Sequence, residues 1–243
     1  MFRVPGSEYQ VSETEKEGRG TDIVVHLKED AVEFASEWRL EQIIRRHSDF
    51  VPFPIYVGDR AEPINRRMAL WRQSPTEVTD EQYAEFYKHL TQDPDPPLLA
   101  SHMVVDIPVD IRSVLYVSAR RQRSDLDPRA DYGLRLYARG VLIQPNNKDL
   151  LPDYLRFVEG IVESEDLPLN VSRETVQRNP AARRIQKALL GKFVRDLKEL
   201  AQNDPPKYAQ FWSEFGAFIK EGVATDLANK DDLLPLLRFH SSK

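Results

Sequence analysis

The chain has 243 residues and a formal net charge of −5 at pH 7, with 34 Lys and Arg residues against 39 Asp and Glu residues and no cysteine. This length accommodates one large domain, or one domain with attached pieces, and the lack of cysteine excludes disulfides, thiolate nucleophiles and cysteine-bound zinc. The longest uninterrupted apolar runs, such as Val114–Val117, are far shorter than the ~20 residues of a membrane-spanning helix, and an acidic chain is a poor general binder of nucleic acid. We therefore expect neither nucleic acid nor membrane as a partner.

The first quarter of the chain mixes irregular and regular patterns. Residues 1–21 are polar, show no period of 2 or 3.6, and predict a loop or ragged end. Asp22–Lys28 alternates in the manner of a strand, and Glu33–His47 carries one apolar helical stripe. Phe50–Val57 is rich in β-formers but contains two prolines, which favours an edge or irregular strand.

The next part of the chain predicts further strands and one well-defined helix. Thr79 and Gln82 form a capping box before the helical apolar spacing of Thr79–Thr91. Asp153–Val162 resembles a short helix. Three further segments predict strands: His102–Ile107, Ile111–Ser118 and Gly133–Ile143.

From Pro180 onward the pattern is almost purely helical. Asn179 is a good cap and Pro180 suits the first helical position. Apolar stripes then predict helices over Lys207–Lys220 and Asp231–Phe239. The order predicts an α/β fold followed by an all-helical extension.

A basic stretch and scattered acids are the first candidates for chemistry. Arg112–Arg139 holds seven arginines; it suggests phosphate contact, but a solvated surface loop is the favoured interpretation because the sequence contains no RNA-binding motif. The acids Glu163, Glu165 and Asp166 are interpreted as turn and helix-dipole partners. Trp71 is interpreted as a core residue. The histidines lack metal-ligand spacing, so we expect no metal site.

Glu163–Asn179 places Arg173 at a junction between a loop and a helix, with Gln177 one turn further on. A guanidinium there suits a phosphate presented by another domain. The alternative is a salt bridge from Arg173 to Glu163 or Asp166, and spacing alone favours that alternative.

Several segments in fixed order resemble the middle domain of the heat-shock protein 90 chaperones. The signature is SEDLPLNVSRE (Ser164–Glu174) continuing to Gln177. Further matches are GTDIVVHLK, WRLEQIIRRHSDFVPFPIYV, ALWRQSPTEVTDEQYAEFYKHL, LRLYARGVLI, LLPDYLRFVEGIV, KYAQFWSEFGAFIKEG and LLRFHSSK. These matches cover nearly all of the chain after Gly18. The amino-acid sequences of two segments resemble the bacterial and mitochondrial branches of the family more than the eukaryotic cytosolic branch.

The resemblance implies an α/β/α layered sandwich with a helical coil after it. It divides the chain into a remnant and last strand of the amino-terminal ATPase domain (1–30), the large α/β/α unit (31–178) and a helical extension (179–243). The chain is then expected to be a fragment of a cytoplasmic bacterial protein, with the mitochondrial matrix as the less favoured location.

The resemblance also implies a function. Arg173 is expected to reach the γ-phosphate of ATP, bound with Mg²⁺ in the amino-terminal ATPase domain, and Gln177 to support it, while this fragment alone binds no ATP. Unfolded client proteins are expected to contact Trp71, Leu126 and Tyr132. Further expected partners are a second copy, through a carboxy-terminal domain, and a heat-shock protein 70 system.

A second hypothesis from the residues alone stays open. The chain is then a stand-alone interaction module whose basic Arg112–Arg139 stretch binds an acidic partner, with no part in nucleotide chemistry.

Overall fold

The structure is a computed structural model, and it describes residues 2–3, 10–11, 13, 15–121, 132–167 and 179–239. Its strands are β1 (Phe2–Arg3), β2 (Gln10–Val11), β3 (Leu99–Val105), β4 (Ile111–Val117), β5 (Leu134–Ala138), β6 (Val141–Asn147) and β7 (Val158–Glu163). Its α-helices are α1 (Glu37–His47), α2 (Asp80–Thr91), α3 (Pro180–Asn203), α4 (Pro205–Thr225) and α5 (Lys230–Leu233). Glu29–Ala35 is a 3-10 helix, and single 3-10 turns cover Leu70–Arg72, Asp153–Leu155 and Leu234–Leu236.

Five of these strands form one mixed sheet in the order β3-β4-β7-β5-β6. The pairs β3/β4, β4/β7 and β5/β6 are antiparallel, and β5/β7 is parallel. β7 is thus a central strand. Its Gly160 has φ +151°, and a Cβ there would lie 2.3 Å from the carbonyl oxygen of Val114, so the close approach of β4 requires glycine.

The two faces of the sheet bury different apolar clusters. Because side chains alternate along a strand, Val114 and Tyr116 of β4 face one cluster with Tyr87 of α2, whereas Leu115 and Val117 face the other. That second cluster contains the buried residues of α3 and α4. The architecture is an α/β/α sandwich that continues into helices, which confirms the predicted fold class.

The helical hairpin α3–α4 belongs to the same apolar core as the sheet. The Phe157 ring, directly before β7, stacks on Phe215 with ring centroids 4.5 Å apart and lies 5.3 Å from Phe218. Arg156 beside it binds Glu221 of α4 through both terminal nitrogens, at 3.0 and 2.9 Å. The proposed boundary at residue 179 therefore crosses one continuous core.

Local helix signals in the sequence are confirmed by the caps. The Thr79 hydroxyl accepts from the backbone N–H of Gln82 at 3.3 Å, and the Gln82 side chain accepts from the Thr79 N–H at 2.9 Å. At the start of α3, the Asn179 side chain accepts from the Ala181 N–H at 2.8 Å, with Pro180 in the first turn. Each cap satisfies backbone donors that the helix leaves unpaired.

Four predicted elements are wrong. Asp153–Val162 is not a helix: a 3-10 turn leads into β7, whose residues are buried on both faces. Gly133–Ile143 holds two strands rather than one, because a turn at Arg139 and Gly140, both with positive φ, reverses the chain.

The segments Asp22–Lys28 and Phe50–Val57 form no strand. In the second, the Asn65 side chain takes the place of a neighbouring strand. It accepts from the Ile55 N–H at 2.8 Å and donates to the carbonyls of Val51 and Phe53, both at 2.9 Å.

None of the helices in the described part of the chain is long and apolar enough to cross a membrane.

Candidate functional site

The segment predicted to carry function, residues 168–178, connects the end of β7 to the start of α3. Arg173 and Gln177 lie in it and are outside the described residues. The residues on both sides of the segment are described, and their contacts fix the positions of its two ends.

The amino-terminal flank of this segment is held by hydrogen bonds to the β3–β4 turn. The Asp110 carboxylate accepts from the Glu165 N–H at 3.2 Å, and the Asp166 carboxylate accepts from the Asp110 N–H at 2.8 Å. Ser164 is 0% exposed and Leu167 is 3% exposed. The chain therefore enters the segment from a fixed, buried position.

The carboxy-terminal flank is the start of α3. Its Asn179 cap fixes the first turn, and Ala182 and Ile185 on the following turns are buried in the shared core. Residues 168–178 are therefore joined at both ends to well-packed secondary structure.

A buried ionic cluster, which we name the Glu163 clamp, lies at the end of β7. Glu163 is 1% exposed, and its carboxylate accepts four hydrogen bonds. Oε2 accepts from Trp71 Nε1 and Arg72 Nε, both at 2.7 Å, and Oε1 accepts from Arg72 Nη2 and the Gly140 N–H, both at 2.5 Å. The clamp joins the end of β7 to the Leu70–Arg72 turn and to the β5–β6 turn.

The hydrogen bonds of the clamp keep Glu163 ionised. Burial by itself raises the pKa of Glu163, but the bonds from Arg72, Trp71 and Gly140 outweigh burial, so the pKa is lower than its ordinary value. The pKa of Arg72 is raised, first by its hydrogen bond to Glu163. The pair is therefore a charged, bidentate contact at neutral pH.

We expect the clamp to stabilise the fold less as the pH falls. The folded-state pKa of Glu163 is below its ordinary value of 4.5. Its contribution is therefore complete above that value and is lost as the pH falls through the folded-state pKa. Urea unfolding from neutral pH to about pH 3 should show the stability difference between wild type and Glu163→Gln shrinking on acidification. A difference that does not change with pH contradicts this assignment.

Two of the three residues predicted to contact clients lie in the described part of the chain, and they have different surroundings. Trp71 is 0% exposed, with its ring centroid 4.5 Å from that of Phe50, so a client reaches the indole only if this region opens. Tyr132 is half-buried, donates from its hydroxyl to Asp153 at 2.7 Å and lies under Lys148 Nζ at 4.0 Å. Leu126 is outside the described residues.

The basic stretch does not form one surface in the described part of the chain. Arg112 is ion-paired with Asp106 and Asp110, whereas Arg135 donates to the Leu90 carbonyl at 2.6 Å on the opposite side of β7 in the sheet order. Arg123 and Arg129 are outside the described residues. Arg112 and Arg135 therefore do not belong to one common basic surface, and the hypothesis of a basic docking module stays a prediction.

The sequence interpretation of Glu163 as a turn and helix-dipole residue is wrong, because Glu163 is the last residue of a strand and the centre of the clamp. No local spacing signals this role, since its partners lie 91 and 92 residues away in the sequence. The interpretation of Trp71 as a core residue agrees with its burial.

Residues 58–243, which include most of this sandwich and the helices after it, match the family model described as Hsp90 protein. This match covers well over half of the chain. The chain belongs to the Hsp90 family.

Individual relatives place it near the bacterial chaperone protein HtpG. The chain is 49% identical to the HtpG of Nitratidesulfovibrio vulgaris over 224 residues, which is 92% of this chain and 35% of that protein. It is 41% identical to the HtpG of Desulfitobacterium hafniense over 235 residues (97% and 38%) and 41% identical to that of Vibrio cholerae over 248 residues (97% and 39%). The chain thus spans less than two fifths of the length of these curated relatives.

Proposed function

We propose that the chain is the middle segment of an ATP-dependent Hsp90-family chaperone. Arg173 contacts the γ-phosphate of ATP, bound with Mg²⁺ in the nucleotide-binding domain, and Gln177 holds the segment that carries Arg173. Family membership across residues 58–243 supports this proposal, because that range includes the whole segment.

The observation that carries the proposal is that the Glu163 carboxylate is buried and already has its hydrogen-bond partners. The sequence offered Glu163 as a salt-bridge partner that would make Arg173 purely structural. Both oxygens of this carboxylate already accept two hydrogen bonds each, and the residue is 1% exposed. A further guanidinium gains little at an acceptor that is already saturated.

Asp166, the other candidate partner, accepts from the Asp110 backbone and thereby contributes to the fixed start of the segment. A positive charge carried between two firmly held ends suits delivery to an anion on another domain. Negative charge develops on the phosphoryl oxygens during transfer, and a guanidinium placed there lowers the barrier. Supplying it from a second domain makes hydrolysis depend on domain closure.

The test of this role is the steady-state ATP turnover of the full-length protein carrying Arg173→Ala, compared with wild type. Nucleotide affinity is measured alongside, because a role in the transition state lowers turnover without weakening binding of the ground state.

We further propose that the parent protein binds unfolded or partly folded clients. Large apolar side chains are exposed in the first third of the chain, among them Trp38 at 67%, Phe53 at 73% and Met68 at 74%. Such surface is what an unfolded chain can cover. Dimerisation through a carboxy-terminal domain, cooperation with a heat-shock protein 70 system and a location in the bacterial cytoplasm complete the proposal.

By itself, the 243-residue chain is expected to bind ATP too weakly for calorimetry at micromolar concentrations, and not to hydrolyse it. Its ten glycines form no phosphate-binding cluster in the sequence. Isothermal titration of ATP·Mg²⁺ into the chain should give only heats of dilution. A saturable isotherm in the micromolar range would show that the chain holds a nucleotide pocket of its own.

A further inference from the structure

A cavity of about 270 Å³ lies between α1, α2 and the β5–β6 hairpin. Its lining combines apolar side chains with guanidinium groups; the main ones are Phe50, Phe86, Leu142, Arg45, Arg46 and Arg135. We propose that this cavity is a binding site for a small aromatic carboxylate. The site is separate from the segment that carries Arg173, and it goes beyond the proposed chaperone function.

The positive charge of this cavity is largely uncompensated. In the part of the chain that the structure describes, Arg45 and Arg46 have no hydrogen-bond or ion-pair partner, and Arg135 donates to the Leu90 carbonyl. The helix dipole favours positive charge at the C-terminal end of α1, which explains why arginines stand at positions 45 and 46. The dipole does not explain the positive charge of Arg135, which lies on β5 in the sheet.

Asp49 is the acid in the lining, and it is already engaged. Its carboxylate accepts from the Arg66 N–H at 3.1 Å and lies 3.8 Å from Arg66 Nε. The lining therefore keeps an excess of positive charge although the chain as a whole carries −5. A guanidinium forms its strongest contacts with planar carboxylates, through two parallel N–H groups.

His89 adds a neutral polar group to the lining. Burial lowers the pKa of His89, and the charges of Arg66 and Arg135 lower it further against the opposing effect of Asp49. Arg66 Nη2 lies 3.4 Å from His89 Nδ1. At neutral pH the ring is therefore uncharged and can exchange a hydrogen bond with a bound ligand.

The apolar part of the lining favours an aromatic body on the ligand. Phe50 meets Phe86 edge-on with centroids 6.4 Å apart, and it meets Tyr137 in the same way at 5.8 Å. A flat ring can join such an edge-to-face arrangement. A volume of about 270 Å³ is just below the ~300–1,000 Å³ of most ligand pockets, so one or two fused rings with a carboxylate fit and a nucleoside triphosphate does not.

The test is a calorimetric titration of 2-naphthoate into the 243-residue chain. We expect saturable binding at one site that weakens with added salt. The exposed double variant Arg45→Gln/Arg46→Gln should weaken binding about fivefold, and adding Arg135→Gln should weaken it about tenfold or more in total. The matched control is Arg60→Gln, an arginine paired with Glu41 outside the cavity, which should bind as wild type does.

Two comparisons make the result decisive. The uncharged analogue 2-naphthol should bind about tenfold more weakly if the carboxylate is recognised. Because Arg135 bonds to the end of α2, thermal unfolding is measured for each variant, and the exposed double variant carries the conclusion if Arg135→Gln melts early. Equal affinity for 2-naphthol, unchanged affinity in the double variant, or no saturation in the millimolar range each overturns the proposal.

Discussion

Replacing Arg173 by alanine in the full-length protein should lower ATP turnover about tenfold or more, while ATP affinity stays nearly unchanged. The reason is that a guanidinium aimed at the γ-phosphate stabilises charge that develops only in the transition state. The measurement is steady-state phosphate release under saturating ATP, together with direct nucleotide titration. Arg173→Lys should recover part of the rate, since it keeps the charge but not the planar fork.

A matched control is Arg184→Ala, which removes the same charge from an exposed position on the first turns of α3. It should leave turnover unchanged. Equal turnover in Arg173→Ala and wild type contradicts the proposed role. A parallel loss of ATP affinity instead assigns Arg173 to ground-state binding. Early thermal unfolding of the 243-residue chain carrying Arg173→Ala would indicate the structural salt bridge that the spacing suggested.

Arg72→Met should destabilise the domain by about 3 kcal/mol, because it leaves the carboxylate of Glu163 buried without its cation. Glu163 is 1% exposed and would keep only the bonds from Trp71 and Gly140. We expect the lower end of the usual range because the Arg72 side chain itself is 29% exposed. Urea unfolding at neutral pH measures the change.

Two further variants separate a buried clamp from an ordinary ion pair. Arg60→Met breaks an exposed pair with Glu41, in which the arginine side chain is 53% exposed, and should cost less than ~1 kcal/mol. The double variant Arg72→Met/Glu163→Gln should be more stable than Arg72→Met alone, since the uncompensated charge is gone. If the two single arginine variants lose the same stability, the clamp is no stronger than a surface contact.

Elements with local signals could be predicted from the sequence. Thr79 with Gln82 and Asn179 with Pro180 mark helix starts because their hydrogen bonds reach only two or three residues along the chain. The order of strands and helices was enough to predict an α/β fold with a helical extension, and the family resemblance implied its α/β/α layering. The alternation of β4, with Val114 and Leu115 on opposite faces, is equally local.

Elements that depend on distant partners could not be predicted. β7 is buried on both faces, so its apolar residues lose the alternation that marks a strand and imitate a helical stripe. Phe50–Val57 has the composition of a strand, but Asn65 satisfies its backbone instead. Whether a segment pairs depends on what else is close to it, and composition does not contain that information.

The same distinction between local and distant partners applies to the residues of the candidate site. Arg173 was found because the residues around it carry a family signature, and the match over residues 58–243 agrees with that resemblance. The Glu163 clamp was missed because Trp71 and Arg72 are remote in sequence. The cationic cavity was missed for the same reason, since Arg45 and Arg135 come from a helix and a strand that only the fold brings together.

Side-chain contacts at both ends of β7 connect two distant parts of the domain. At one end, Phe157 packs against the aromatic rings of α4. At the other end, Glu163 is hydrogen-bonded to Arg72 a few residues before the segment that carries Arg173. A six-residue strand is a stiff rod about 20 Å long. β7 therefore forms a direct structural connection between the helical hairpin and the start of residues 168–178.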